Sequence, residues 1–205
     1  MSTFTSIHAS LVQHPAPLLP PQKPLDATLT SKIADLKVHP TLETALHLLN
    51  LDLPAAHFLV RHMQSAPAFE GMYLHGILHR IEGDYDNARA WYSDVRDSEV
   101  YKRVWGKEDV EGTVGWKKWR EEGGNKDGGQ LFLDKVQTLK EGKGGGKDAL
   151  EKESRKELES VVDYCTNKFG TEKREDATSA WVCHDPEIGQ MGEDQVSGDS
   201  GRRKF

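Results

Sequence analysis

The sequence contains few cysteines and lacks a long apolar segment. Only two of its 205 residues are cysteine, which excludes a fold held together by several disulfides. Its apolar runs are far shorter than the roughly 20 residues that a membrane-spanning helix needs, and the mean hydropathy is −0.67. We therefore expect no membrane partner.

The sequence also lacks an excess of positive charge. Lys and Arg number 27 against 33 Asp and Glu, so the formal net charge is −6. A general nucleic-acid binder needs a positive surface to neutralise phosphates, so nucleic acid is not an expected partner. One small patch combines basic and aromatic side chains: Trp116, Lys117, Lys118, Trp119 and Arg120. Such a patch can stack on nucleic-acid bases, but the negative net charge of the chain favours the interpretation that it is an ordinary solvent-exposed surface.

Proline and glycine are concentrated in a few segments, which divide the chain into three parts. Five of the nine prolines precede residue 25, so residues 1–25 are predicted to form a Pro-rich extended arm without stable packing. Residues 26–170 form the predicted helical domain, with Gly-rich loops near 121–130 and 141–147. Residues 171–205 are predicted to be an acidic flexible tail.

The two chain ends carry no recognisable targeting signal. The N-terminal segment has no basic stretch followed by a long apolar run, so we expect no secretory signal and a cytoplasmic protein. In the tail, Trp181 is the large side chain that we expect to dock on the domain. The Cys183-His184 pair has no further metal-ligating residue at a fixed spacing nearby in the sequence, so it does not predict a metal site. Cys165 is predicted to be a packed thiol.

Within the helical domain, apolar residues recur with the period of an α-helix. Phe69–Glu82 carries apolar residues on two faces, so we expect this helix to lie between neighbours. Gly83 is predicted to end it and Asp84 to cap the next helix. An earlier helix is predicted to start at Thr41 as its N-cap, and a last helix to end at Gly170.

Two helix pairs in this domain resemble each other. The segment from Leu51 aligns with the segment from Gly83, an offset of 32 residues, which is close to the roughly 34 of a tetratricopeptide repeat. Gly76, Gly83, Ala88 and Tyr92 have the spacing of that repeat's small, turn, small and aromatic positions. The resemblance implies an all-α fold, a compact array of helical hairpins in which Gly76 faces Ala88, and the composition of the two termini predicts that they are disordered.

A second resemblance rests on short motifs. The chain contains an Ala-His pair, a His-x-x-x-His-Arg-x-Glu segment and an Asn-Ala-x-x-Trp-Tyr segment, at positions His57, His75, His79, Arg80, Glu82, Asn87, Ala88, Trp91 and Tyr92. The pattern is similar to that of a family of uncharacterised bacterial and fungal proteins. Because no activity is established for that family, the resemblance implies no reaction.

Histidines form the chemical signal of the sequence. His75 and His79 are four residues apart, so both imidazoles project from one helix face, with Glu82 three residues further on. His75, His79 and Glu82 can hold a divalent metal, with His57 from the neighbouring helix as a further ligand. The same set can act as an acid/base pair. The structural alternative is a set of core histidines with separate hydrogen bonds.

Two functional hypotheses stay open. The first is a cytoplasmic binding or adaptor module without chemistry of its own, in which Tyr73, Ile77 and Arg80 line a groove for a peptide or partner protein. The second is a small enzyme or accessory protein of small-molecule, including secondary, metabolism. Its catalytic set is the three histidines with the glutamate, and a small polar molecule contacts Tyr73, Arg80, Asn87 or Trp91. The sequence leaves the cofactor, substrate and partner open.

Overall fold

The computed structural model describes residues 3–106 and 127–182, and the regular structure of those residues is entirely helical. The predicted all-α fold is therefore confirmed. In the described residues, no helix has both the length and the apolar character that crossing a bilayer requires. The helices are α1 (Phe4–Leu11), α2 (Leu29–Ala34), α3 (Pro40–Leu49), α4 (Leu53–Val60), α5 (Phe69–Glu82), α6 (Tyr85–Val95), α7 (Glu99–Trp105), α8 (Gly128–Lys140) and α9 (Lys147–Phe169), followed by a 3-10 turn, Thr178–Ala180.

The helices pack as consecutive hairpins under one long helix. Helix α3 packs against α4, α5 packs against α6, and α4 contacts α5. Helix α9 crosses this array and contacts α3, α7 and α8. Most residues of α5 are buried, as expected for a helix between neighbours. The array of hairpins follows the prediction, while its likeness to the tetratricopeptide repeat in particular stays a prediction.

Helix ends follow local sequence chemistry. Gly83 ends α5 in the left-handed conformation with φ 83°, and Asp84 caps α6, both as predicted. The prediction for Thr41 is wrong. Helix α3 already begins at Pro40, and the N-cap is His39, whose Nδ1 accepts a hydrogen bond from the backbone N–H of Thr41 at 3.3 Å. Proline suits the first helical turn because the N–H it lacks has no partner there.

The N-terminal segment differs from the predicted extended arm. It forms helix α1, on which Phe4, Ile7 and Leu11 lie on one face and are buried in the core. Thr3 and Ser6 form a capping box at its start. The prolines that pointed to an irregular arm all follow this helix, so they do not oppose it. The expectation that the segment lacks stable packing is wrong.

The Gly-rich loops are only partly as predicted. Residues 141–146 are an irregular connection between α8 and α9. The loop predicted near 121–130 is shorter, because Gly128 already begins α8 and Asp127 caps it by accepting from the backbone N–H of Gln130 at 3.0 Å. Residues 121–126, and with them the basic and aromatic patch of residues 116–120, lie outside the described part of the chain.

The first part of the C-terminal segment lies against the domain. The backbone N–H of Arg174 donates to the backbone carbonyl of Lys37 at 2.7 Å. The backbone N–H of Val182 donates to the backbone carbonyl of His62 at 2.9 Å. Trp181, the side chain expected to dock, lies with its ring centroid 4.6 Å from that of His62. The Cys183-His184 motif lies outside the described residues. Cys165 is buried as predicted, and burial raises the pKa of its thiol to about 12.

Helices α5 and α6 approach each other closely at Gly76, as predicted, but the residues of α6 that Gly76 contacts differ from the predicted Ala88. A Cβ atom placed on Gly76 would lie 2.7 Å from Cδ1 of the Tyr92 ring and 3.0 Å from Cβ of Trp91. Gly76 therefore packs under these two aromatic residues rather than facing Ala88. The small residue leaves room for a large ring, not for a second small residue.

We predict that Gly76→Leu lowers the free energy of unfolding by about 1–3 kcal/mol, because overpacking forces the Tyr92 ring to move. Urea unfolding followed by circular dichroism measures the change. Gly145→Leu is the control, because nothing lies within 4 Å of a Cβ at that loop position. Equal unfolding midpoints for the two variants would contradict the packing of α5 on α6.

Candidate metal centre

Three of the predicted histidines come together between α4 and α5. His57 lies on α4, and His75 and His79 lie one turn apart on α5. The Nε2 atoms of His57 and His75 are 3.3 Å apart. One ring nitrogen from each of the three residues lies within 4.8 Å of the others. The sequence-based grouping of these residues is therefore observed in the structure.

Packing fixes the orientation of the rings. The imidazoles of His75 and His79 stack with centroids 4.7 Å apart, and His57 meets both of them edge-on. On its other side His75 stacks on Trp91 of α6, at 4.5 Å. His75 is 3% exposed, whereas the side chains of His57 and His79 are 27% and 12% exposed. The cluster thus has one buried ring and an edge that solvent reaches.

Glu82 lies beside the other ring nitrogens. Its Oε2 is 3.2 Å from Nδ1 of His79, and its Oε1 is 3.9 Å from Nδ1 of His57. The buried Nδ1 of His79 makes no hydrogen bond, so Glu82 acts on the rings through its charge, which favours a proton on the nearby Nδ1 atoms and leaves the Nε2 lone pairs free. Glu82 was predicted as a ligand next to His75 and His79. The geometry instead favours His57 as the third ligand and gives Glu82 an orienting position.

The electrostatics of the cluster favour neutral imidazoles. Burial holds the pKa of His75 well below its ordinary 6.5, and His79, His57 and Arg61 lower it further. The pKa of His57 is also lowered, chiefly by burial, with Glu82 opposing the shift. Both rings are therefore predominantly neutral at pH 7. A neutral imidazole is the form that binds metals, so metal uptake displaces few protons.

One pair of ring nitrogens has the spacing that a tetrahedral metal requires. With Zn–N bonds of roughly 2.0–2.1 Å, two nitrogens of a tetrahedral site lie about 3.3 Å apart, which is the separation of the His57 and His75 Nε2 atoms. Neutral imidazoles suit Zn²⁺, Cu²⁺, Ni²⁺ or Fe²⁺ and do not suit Mg²⁺ or Ca²⁺. Separate hydrogen bonds to other buried groups are not what the rings make: His75 and His57 bond each other through their Nε2 atoms, and the buried Nδ1 of His75 has no hydrogen-bond partner.

The predicted binding residues lie in different environments, some in the core and others near the surface. Tyr73, Ile77 and Arg80 are completely buried, so the prediction that they line a surface groove is wrong. Asn87 supports the start of α6, since its Nδ2 donates to the carboxylate of Asp84 at 2.6 Å. Of the predicted set, only the Trp91 side chain contacts the histidine cluster, through its stacking on His75.

Arg80 is buried because it pairs with Glu157 of α9, a residue that the sequence analysis missed. Its guanidinium donates to Oε2 of Glu157 at 2.8 Å and to the backbone carbonyl of Pro17 at 3.2 Å. The other carboxylate oxygen accepts from the hydroxyls of Tyr73 at 2.9 Å and Tyr92 at 2.6 Å. The sequence feature that could have revealed this partner is a glutamate on the apolar stripe of α9, since Glu157 lies four residues before the core residue Val161.

Comparisons of the chain with protein-family models, with curated proteins and with solved structures find no match. The resemblance to a family of bacterial and fungal proteins therefore stays a prediction. The case for a function rests on the geometry of the histidine cluster.

We predict that the buried ion pair is strongly coupled. Arg80→Met and Glu157→Leu should each destabilise the protein by about 3–5 kcal/mol, because each leaves a buried charge without its partner. The double variant should lose much less than the sum of the two. A double-mutant cycle in urea measures the coupling, with Lys143→Met, at a fully exposed pair, as a variant without effect. Additive losses would show that the charges are independent.

Proposed function

We propose that the protein holds one divalent transition metal ion, with Zn²⁺ as the best match, at His57, His75 and His79. The observation that carries this proposal is the convergence of three ring nitrogens from two helices within 4.8 Å of one another. A pair of histidines one helical turn apart is common on protein surfaces. A third imidazole from a different helix, at metal-ligand spacing, is not explained by helix geometry.

The surroundings of the cluster support a built site. Trp91 stacks on His75, and the carboxylate of Glu82 lies 3.2 Å from Nδ1 of His79. Outer partners of this kind orient metal ligands and raise their basicity. They also reduce the entropy lost on metal binding, because the rings are already held close to their bound arrangement.

The proposed role of this centre is chemistry on a small polar molecule, as an enzyme or as an accessory protein of small-molecule metabolism. Three protein ligands leave at least one metal position for water or substrate, which is the arrangement of catalytic rather than structural zinc. The partial exposure of His57 and His79 gives a ligand access to the cluster. The proposal supersedes the binding module with a groove, whose lining residues are buried.

We propose the cytoplasm as the compartment of this protein. Cys165 is free and buried, and the chain as a whole contains only two cysteines. This usage fits a reducing environment, where proteins do not depend on disulfides.

The test is Zn²⁺ binding to the purified full chain, measured by calorimetry against a competing chelator. We expect one Zn²⁺ per chain. His57→Gln should weaken binding by more than the roughly 10- to 100-fold that loss of an outer partner costs, and Glu82→Gln by about that amount. Since the pKa values of His57 and His75 are lowered, protons should compete with Zn²⁺ for these two rings only at a more acid pH than for ordinary histidines.

The control variant is His62→Gln, which removes another histidine of the α4 region that lies outside the cluster. It should leave the affinity unchanged. His57→Gln is the decisive variant. If His75 and His79 alone bound Zn²⁺ adventitiously, the loss of His57 would leave the affinity unchanged. Equal Zn²⁺ affinity of the wild type and His57→Gln would therefore reject the three-histidine centre.

A further inference from the structure

We propose that His39 forms an acid-sensitive latch, which holds the C-terminal segment, residues 171–182, against the helical domain at neutral pH and releases it in acid. The segment follows α9. It returns to the residues just before α3, where the backbone N–H of Arg174 donates to the carbonyl of Lys37 at 2.7 Å. This inference goes beyond the proposed metal site and does not depend on it.

His39 lies where α3, α9 and the C-terminal segment meet. Its ring is parallel to that of Phe169, the last residue of α9, with the ring centroids 3.7 Å apart. The backbone carbonyl of Phe169 accepts a hydrogen bond from Nη2 of Arg174 at 3.0 Å. The imidazole and the guanidinium thus hold the end of α9 from two sides, and the latch comprises His39, Phe169 and Arg174.

The hydrogen bonds of His39 require a neutral ring. Its Nδ1 accepts from the backbone N–H of Thr41 at 3.3 Å and lies 2.8 Å from Oγ1 of the same residue. The first of these bonds is the N-cap of α3. Nδ1 can accept only while it carries no proton. Protonation therefore removes the cap and opposes the position in which the ring stacks on Phe169.

The charges around His39 also oppose its protonation. Burial, together with the positive charges of Arg174 on the segment and Lys168 on α9, lowers the pKa of His39 from 6.5 to about 4. Glu70 of α5 pairs with Lys168 at 2.6 Å. Because electrostatic repulsion is mutual, a protonated His39 in turn repels Arg174, whose two hydrogen bonds hold the segment.

The sign of the pH effect follows from linkage. In the open state the pKa of His39 returns to roughly 6.5, so the open state binds the proton more tightly than the closed state. Opening therefore becomes more favourable as the pH falls below 6.5. The gain stops near pH 4, where the closed state also takes up the proton. Between these limits the opening equilibrium should rise by up to roughly 300-fold.

The first experiment measures hydrogen exchange of backbone amides in the full chain between pH 7 and pH 4, corrected for the intrinsic exchange rate at each pH. The amide of Arg174 reports the latch, and the amide of Ile77, in the buried part of α5, reports the whole fold. We expect the protection of Arg174 to fall with pH, by up to the 300-fold stated above, and that of Ile77 to stay higher throughout. In His39→Asn, which keeps a capping side chain without a group that titrates in this range, the protection of Arg174 should not depend on pH.

The second experiment follows the pKa of His39 itself, from the NMR signals of its ring. Arg174→Gln removes a positive charge that lowers this pKa, so the pKa should rise towards 6.5. Lys173→Gln is the matched control. It removes an exposed positive charge from the same segment that is not among the charges acting on His39, and it should leave the pKa unchanged.

Three outcomes would overturn the proposal. An equal loss of Arg174 protection in the wild type and His39→Asn would reject His39 as the group that senses pH. If the protections of Arg174 and Ile77 fell together, acid would unfold the whole domain rather than release the segment. An unchanged pKa of His39 in Arg174→Gln would show that the ring and the guanidinium are not coupled, and this arm decides even if His39→Asn does not fold.

Discussion

The buried carboxylate of Glu157 is the interaction on which the arrangement of the helices depends. It lies on α9 and accepts from Arg80 and Tyr73 of α5 and from Tyr92 of α6. Pro17, which follows α1, joins the same network through its carbonyl. A charge buried among apolar helices is costly unless it is paired and hydrogen-bonded, so these segments are held together at this point.

This network also sets the rotation of α5 about its own axis. Because Arg80 must reach Glu157, the face of α5 that carries Tyr73 and Arg80 turns towards α9. The other face, with His75 and His79, is then turned towards α4 and α6, where His57 and Trp91 lie. The histidine cluster and the ion pair are thus two consequences of one helix with two buried faces. The cluster lies on the side of α5 where the side chains of His57 and His79 are partly exposed to solvent.

Much of the fold follows from the sequence, because helix periodicity and caps are local. The bounds of α5, its end at Gly83 and the cap at Asp84 need only neighbouring residues. The errors arise where proline was given too much weight. Helix α3 begins at Pro40 and is not capped by Thr41, and the prolines after α1 hid a helix with three buried apolar residues.

The site was predictable only in part. The i, i+4 spacing of His75 and His79 shows that they share a face, and the repeat places His57 on the adjacent helix. Spacing does not reveal what lies opposite a face, so the sequence assigned Arg80 to a groove although its partner, Glu157, is 77 residues away and fully buried.

The central claim is that three imidazoles from two helices share one metal ion. X-ray absorption at the zinc edge of the Zn²⁺-loaded full chain tests it most directly, because the outer-shell scattering counts imidazole rings. The account predicts three histidine nitrogens at roughly 2.0–2.1 Å, completed by one or two oxygens. A spectrum with two imidazoles or fewer would contradict it, since the ion would then be bound without the ring that α4 contributes.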